Sequence, residues 1–272
     1  MIDIDAVTRL MHEVAATEAM PRWRNLGTGD IVEKTGPDDL VTVADRAVEA
    51  VLSRRLVELL PGSAVVGEEA VHADPRLIER LRAPGHVWVI DPIDGTSNFA
   101  KGDPGFALMV ALIEDRVPVA GFLHAPALGD TTFAARGEGV WHASGGKPAV
   151  RMTRPDPRKG LGALSGMVGK RAFTPERRAE VLARAPRFKS LTPNTGCAGL
   201  DYPLLATGRC DFVLYGKTEP WDHLPGLAIV SELGFHYARL DGSAYAPGDN
   251  TGGLLVASHA EIWTELRDAL LG

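Results

Sequence analysis

The sequence predicts a mixed α/β chain whose helices and sheets stack in layers. Three observations predict it. Apolar residues recur at helical spacing near the N-terminus and again from Ala44 to Leu60. Short apolar runs at 64–66 and 87–90 read as strands and lead into acidic residues, through Gly67 to Glu68 and directly to Asp91. The second half then alternates strand and helix patterns almost to its end.

The elements follow in order. Residues 2–19 place Ile4, Val7, Met11 and Val14 on one helical face. A loop bearing Gly27, Gly29, Gly36 and Pro37 comes next. Thr42-Val-Ala-Asp45 has the form of a capping box, in which the two side chains satisfy each other's backbone N–H groups. It opens a helix to Leu60 with Val48, Val51, Leu52, Leu56 and Leu59 on one side, stopped by Pro61-Gly62. Strands are expected at 64–66, 87–90, 107–113, 118–123 and 131–135. Beyond them come a strand near 161–164, helices at 176–184 and 198–206, a strand at 212–214, a helix at 224–233, a strand at 254–257 and a helix at 261–270. The chain reads as a single domain over residues 1–272. A soft internal boundary near 145–158, where Gly145, Gly146, Pro148, Pro155 and Pro157 cluster, divides an N-terminal α+β half from a C-terminal α/β half.

Composition excludes several classes. The net charge of -6, from 29 basic and 35 acidic residues, gives no footprint for nucleic acid or an anionic membrane. No apolar run approaches the roughly 18 residues that a membrane helix needs, and the N-terminal Met-Ile-Asp-Ile-Asp is no secretory signal. Two cysteines, Cys197 and Cys210, read as reduced buried thiols of a cytoplasmic protein rather than a disulfide framework.

Acidic residues gather at three element edges: Gly67-Glu68-Glu69, Asp91-Pro92-Ile93-Asp94-Gly95-Thr96, and Trp221-Asp222-His223. Strand ends of layered α/β folds are where sites are built. Pro92 fixes one backbone angle and Gly95 permits an unusual one, so Asp91 and Asp94 can be turned toward one point. Thr96 and Ser97 offer hydroxyls, and a helical turn starting there would offer free N–H groups to a phosphate. Each cluster alone also has an ordinary reading, as turn residues, a solvated loop or a helix N-cap. Glu68, Asp91, Asp94 and Asp222 in one pocket would repel a phosphate dianion unless about two or three divalent cations offset their charge. Hard carboxylate oxygens suit Mg²⁺, with Mn²⁺ possible.

These segments, extended through Ser97-Asn98-Phe99 and Leu224-Pro225-Gly226, resemble the three signatures of the inositol monophosphatase family. Lys34 to Asp45 resembles that family's N-terminal motif, and the likeness runs in order from about residue 30 to 258. The resemblance implies a layered αβαβα sandwich of the sugar-phosphatase type, usually a homodimer. It implies Mg²⁺-dependent, lithium-sensitive hydrolysis of a small phosphorylated polyol or sugar, such as inositol monophosphate, by metal-activated water. Glu68, Asp91 and the Ile93 carbonyl would hold one metal, and Asp91, Asp94 and Asp222 a second. Glu68 would also help order a third metal or its water. Asp45 and Thr96 would activate that water. Asp94 and the backbone at Gly95 and Thr96 would meet substrate, as would Gly196, Cys197 and Ala198 on its hydroxyl side. Members acting on inositol phosphate often carry a Glu seven residues before the last Asp. Here that position is Tyr215, which implies retained phosphate chemistry with a broad or shifted substrate range. Pro225 stands where Ala is common.

Rival readings have sequence tests. His12-Glu13 opens like a zinc-protease motif, but Ala16 stands where the second His belongs. An aspartyl-phosphate enzyme needs its second Asp where Ile93 lies. The same scaffold could act on histidinol phosphate, fructose 1,6-bisphosphate or a 3′-phosphorylated nucleotide. A non-catalytic regulator would not need the Asp45/Thr96 pair. Trp141-His142 and His223 read as packing residues.

Overall fold

The structure is a computed structural model and describes residues 2–36, 39–156, 158–169 and 173–272. Pro37 and Pro157, both expected in loops, lie outside the described residues.

Helix α1 (Ile4–Val14) is capped by Asp3, whose carboxylate accepts from the Ala6 N–H, and runs on into a π-helical turn at Ala15–Ala19. Strands β1 (Ile31–Gly36) and β2 (Asp39–Thr42) form an antiparallel hairpin where only a loop was expected. Helix α2 (Val43–Leu59) starts at the predicted capping box. Then come β3 (Ala64–Gly67), α3 (Glu68–Ala73), β4 (His86–Asp94), α4 (Thr96–Ala100), β5 (Ala107–Glu114), β6 (Val117–Ala125), β7 (Asp130–Ala135), β8 (Gly139–Ser144) and β9 (Val150–Met152). The second half holds β10 (Ser165–Val168), α5 (Pro175–Leu182), β11 (Ser190–Pro193), α6 (Ala198–Ala206), β12 (Phe212–Tyr215), α7 (Pro220–Glu232), β13 (His236–Ala238), β14 (Leu254–Ala257) and α8 (Ala260–Leu271).

Strands β3 to β9 make one seven-stranded sheet in chain order, parallel only between β3 and β4. The second sheet has the order β11-β10-β12-β14-β13. The period-two pattern of β4 shows how the layers form. Trp88 and Ile90 pack against Val7, Leu10 and Met11 of α1 and Val48 and Leu52 of α2. Val87 and Val89 face the other way, into a core shared with α6, α7 and one face of the second sheet. The opposite face of that sheet, through Phe212, Leu214 and Leu255, packs on α5 and α8. The result is five layers, αβαβα, as the sequence implied. Helix α7 lies so close to the large sheet that a Cβ on Gly121 of β6 would come within 2.1 Å of the Pro225 carbonyl oxygen.

Two boundaries differ from expectation. The strand expected near 161–164 is a 3-10 turn at Leu161–Ala163, with β10 following it. Gly160 and Gly162 in that run favour a turn over an extended strand. Helix α7 begins at Pro220, four residues before the predicted Leu224, because proline suits the first helical position, where no N–H is needed. Asp222 therefore sits in the first turn of α7 and not at its cap, which is Glu219.

Candidate active site

The three acidic clusters converge because of strand register and helix starts. Strands β3 and β4 run parallel with Gly67 opposite Ile90, so Glu68 leaves the sheet beside Asp91. The pairing of β4 with β5 is interrupted between Asp91 and Asp94, at Pro92-Ile93, and this bulge re-aims the strand end. Gly95 then takes φ 84°, a left-handed conformation open to glycine, and α4 begins. Asp222 faces the same region from α7 and borders two cavities at once.

The electrostatics are those of crowded acids. Burial, then Glu68, Asp94, Asp222 and Asp45, push the Asp91 carboxyl well above the ordinary carboxylate range. Burial and then Asp222 raise Asp94 to about 7. Burial raises Glu68 to about 8, Lys34 opposing and Asp222 adding to it. Asp91 is 1% exposed, yet its Oδ1 has no hydrogen-bond partner. A buried carboxylate oxygen without a donor is costly. A cation there would supply the missing partner, and the donors around it are all hard oxygens, so the residues fit Mg²⁺. Among the described residues the side chains do not already close into a three-ligand chelate. Like charges with nothing between them stand apart.

A protein cation already occupies the cluster's edge. The Lys34 ammonium, its side chain 4% exposed, donates to Glu68 Oε1 at 2.9 Å and to Glu69. Burial alone would lower its pKa, but Glu68 and Glu69 outweigh that and hold it charged.

Asp45 has two jobs on two oxygens. Its Oδ2 accepts from the Thr42 N–H at 2.7 Å and the Thr42 hydroxyl at 2.5 Å, completing the capping box. Its Oδ1 faces the Thr96 hydroxyl at 3.2 Å, and the same hydroxyl lies 2.9 Å from the Ile93 carbonyl oxygen. Burial raises Asp45 to about 6.

The expected substrate stretch lies against the carboxylate cluster. Gly196, Cys197 and Ala198 lead into α6, whose Gly199 N–H donates to Asp94 Oδ2 at 2.7 Å. With Asp94, Ser97, Asn98, Tyr215 and Lys217 they line a cavity of about 250 Å³. Tyr215 is there, but its hydroxyl points out of the cavity and donates to Asp201 at 3.1 Å. His223 is buried against Tyr202 and the Lys217 carbonyl and reaches no cation position.

Three residues were not singled out from sequence. Lys34 lay inside a recognised motif without a role. Glu49 accepts from the Glu69 and Ala70 N–H groups at 2.8 Å each and so holds the start of α3. Its signal was available, since Glu49 shares a helical face with Leu52 and Leu56, where an acid is out of place. Asp201 is 0% exposed and accepts from Asn194, Thr195 and Tyr215, a pattern that looks from sequence like an ordinary first-turn acid.

Known proteins resemble this chain along most of its length. The chain is 33% identical over 250 residues to a histidinol-phosphatase of Mycobacterium tuberculosis, covering 88% of this chain and 90% of that one. It is 30% identical over 206 residues to a fructose-1,6-bisphosphatase/inositol-1-monophosphatase of Thermotoga maritima, covering 75% and 73%. Among solved structures, a Thermotoga maritima IMPase superposes with TM-score 0.80 at 25% identity, covering 98% and 96%. The profile of the inositol monophosphatase family matches residues 3–271, and with these relatives it places the chain in that family, as a phosphoric monoester hydrolase.

Proposed function

We propose that this chain hydrolyses a small phosphate monoester with Mg²⁺ held by Glu68, Asp91, the Ile93 carbonyl, Asp94 and Asp222. The observation that carries the reading is the bare Oδ1 of Asp91, buried among other carboxylates. Two or three Mg²⁺ would supply the positive charge that lets a phosphate approach and that stabilises the charge developing as the ester bond breaks. Mn²⁺ has the same oxygen preference, and Li⁺ is expected to inhibit by competing at the Asp91, Asp94 and Asp222 position.

The protein's own groups do the rest. The Thr96 hydroxyl, held between Asp45 Oδ1 and the Ile93 carbonyl, orients the attacking water, and Asp45 Oδ1 takes its proton. Burial prepares Asp45 for this by raising its proton affinity toward neutrality. The start of α4, at Gly95 and Thr96, receives the phosphate. Gly196, Cys197, Ala198 and Tyr215 face the alcohol half of the ester.

The chain is proposed to act as one domain, because the core between the two sheets draws on both halves. A homodimer in the cytoplasm belongs to the same proposal, and the two buried free thiols suit a reducing compartment.

The test is phosphate release from inositol 1-phosphate, histidinol phosphate, fructose 1,6-bisphosphate and a 3′-phosphorylated nucleotide, with Mg²⁺ and with excess chelator. Release from at least one ester with Mg²⁺, and none in chelator, is expected. Full turnover in chelator would overturn the metal assignment, and no release from any ester would overturn the activity.

A further inference from the structure

Glu68 opens α3, and a helix of six residues does not hold its own direction. The N-cap of α3 is Gly67, which has no side chain to accept from the first turn. The acceptor comes from another element. Glu49 of α2 places Oε2 2.8 Å from the Glu69 backbone nitrogen and Oε1 2.8 Å from that of Ala70. These are the second and third N–H groups of α3, the ones an N-cap side chain ordinarily serves. Glu49 is 7% exposed, and a carboxylate buried so far is costly unless its oxygens are used. Gly67 is a glycine for want of room. Its φ is an ordinary -107°, yet a Cβ there would lie 2.5 Å from Glu49 Oε2.

Glu49 also sits one helical turn after Asp45, on the buried side of α2. Asp45 Oδ1 meets Thr96 at the start of α4, and Glu49 meets the start of α3. One rigid helix therefore sets the spacing between the Asp45/Thr96 pair and Glu68. The Lys34 ammonium grips the Glu68 and Glu69 side chains from β1, while Glu49 grips the backbone beneath them. We infer that Glu49 is a positioning residue for the metal site. By fixing the start of α3 it aims Glu68 at Asp91, and it sets the affinity for Mg²⁺ rather than the rate of the chemical step. The inference rests on the metal reading above and adds the residue that makes Glu68 a competent ligand. Groups that orient metal ligands from behind are typically worth about 10–100-fold in affinity.

The test titrates Mg²⁺ into the protein without substrate, reading affinity from the rise in Tm. It then measures kcat at saturating Mg²⁺ on the best ester of the screen above. Glu49→Gln keeps an oxygen for one of the two N–H groups and should weaken Mg²⁺ binding roughly 10-fold. Glu49→Ala keeps neither and should weaken it roughly 100-fold. In both, kcat at saturating Mg²⁺ should stay within about 3-fold of the wild type. Asp211 supplies the control. Just ahead of β12, this buried carboxylate accepts from the Ser165 N–H at 2.8 Å and pairs with Arg158 at 2.7 Å. Asp211→Asn should lower the Tm and leave Mg²⁺ affinity unchanged. If Glu49→Ala does not fold, Glu49→Gln decides. A Glu49→Gln protein with wild-type Mg²⁺ affinity overturns the inference, as does an equal loss of affinity in Asp211→Asn. A kcat that falls in step with affinity, even at saturating Mg²⁺, overturns it too. A wild-type protein whose Tm does not respond to Mg²⁺ overturns the metal reading instead.

Discussion

Asp91 and Asp201 are both aspartates buried almost completely, and they live in opposite surroundings. Asp201 accepts from the Asn194 amide, the Thr195 N–H and hydroxyl, and the Tyr215 hydroxyl. Asp91 has an oxygen with no partner and faces Glu68, Asp94, Asp222 and Asp45. Burial raises the pKa of both, but at Asp201 hydrogen bonds oppose it, while at Asp91 more negative charge adds to it. A satisfied buried acid organises the fold around it. An unsatisfied one is strain that only a ligand can relieve, and such strain is concentrated at sites of chemistry.

The largest expected effect tests this difference directly. Asp91→Asn should lower kcat/KM by at least ~10³-fold, because a cation position loses its central oxygen ligand. It should also raise the Tm of the metal-free protein near neutral pH, since a buried carboxyl that is costly to ionise among other acids has been replaced by a neutral amide. Asp201→Ala should do the reverse for stability and cost about 2–3 kcal/mol, because the donors of Asn194, Thr195 and Tyr215 lose the buried carboxylate they share. In a protein of this size that is a fall of roughly 5–10 °C. Thermal melts in chelator measure both, and two destabilised variants would break the comparison.

How far each aspartate could be read from sequence follows from what holds it. Asp91 sits in a short motif whose residues are adjacent in the chain, so Pro92, Gly95 and Thr96 announced it together. Its partners Glu68 and Asp222 lie at other element edges with similar local signatures. The layer order was legible for the same reason, since α1 and α2 place their apolar residues on one side and β4 to β7 read as successive apolar runs. Asp201 depends on groups brought together only by folding: Asn194 ahead of α6 and Tyr215 at the end of β12. The β1–β2 hairpin was also missed. Its residues Glu33, Lys34 and Thr35 do not alternate apolar with polar, and its lysine is held by charge from α3 rather than by a local pattern. Strands of three or four residues, such as β9 and β13, are too short to show a period.

The next effect in size separates two roles within one side chain. Asp45 caps α2 through Oδ2 and meets Thr96 through Oδ1. Asp45 is the N3 member of the capping box, and the amide oxygen of Asn can still accept from the Thr42 N–H, so Asp45→Asn should melt close to the wild type. If Oδ1 takes the proton of water, kcat should fall by roughly 10²-fold or more, with the Mg²⁺ dependence little changed. Near-normal kcat in a well-folded Asp45→Asn protein would leave Asp45 as a cap only.

Smaller again is the stabilisation by metal. Mg²⁺ at about 100 times its Kd should add roughly 2.7 kcal/mol to the stability of the wild type. The Tm should rise by about 5–10 °C. The same concentration should raise the Tm of Asp91→Asn by far less, and that of Asp201→Asn by nearly as much as wild type. Equal shifts in all three would place the cation somewhere other than Asp91.

The smallest effect is the pH dependence of the metal-free protein. Burial raises Asp45 from its ordinary 3.8 to about 6 and Glu49 from 4.5 to about 7. Between about pH 4 and 7 the folded state therefore holds protons that the unfolded chain has released. Stability then falls as pH rises through this window and levels off above it. Asp91, Glu68 and Asp94 act in the same direction. His124 opposes them. Packed on His12 and within 3.0 Å of the Thr131 hydroxyl oxygen, it is lowered by burial, and then by His12, to about 4. The unfolded chain therefore binds its proton first as pH drops below 6.5, and this contribution rises with pH between about 4 and 6.5. His12, His223 and His259 are lowered by burial too and add to this opposition; His124→Gln removes one part of it, so in chelator the Tm of that variant should fall more steeply from pH 4.5 to 6.5 than the wild type's. Saturating Mg²⁺, which competes with protons for the carboxylates, should make its stabilising shift grow with pH. A Tm that climbs with pH in metal-free His124→Gln would mean that these carboxyls are not held protonated in the folded state, and that the crowding around Asp91 is already relieved within the protein.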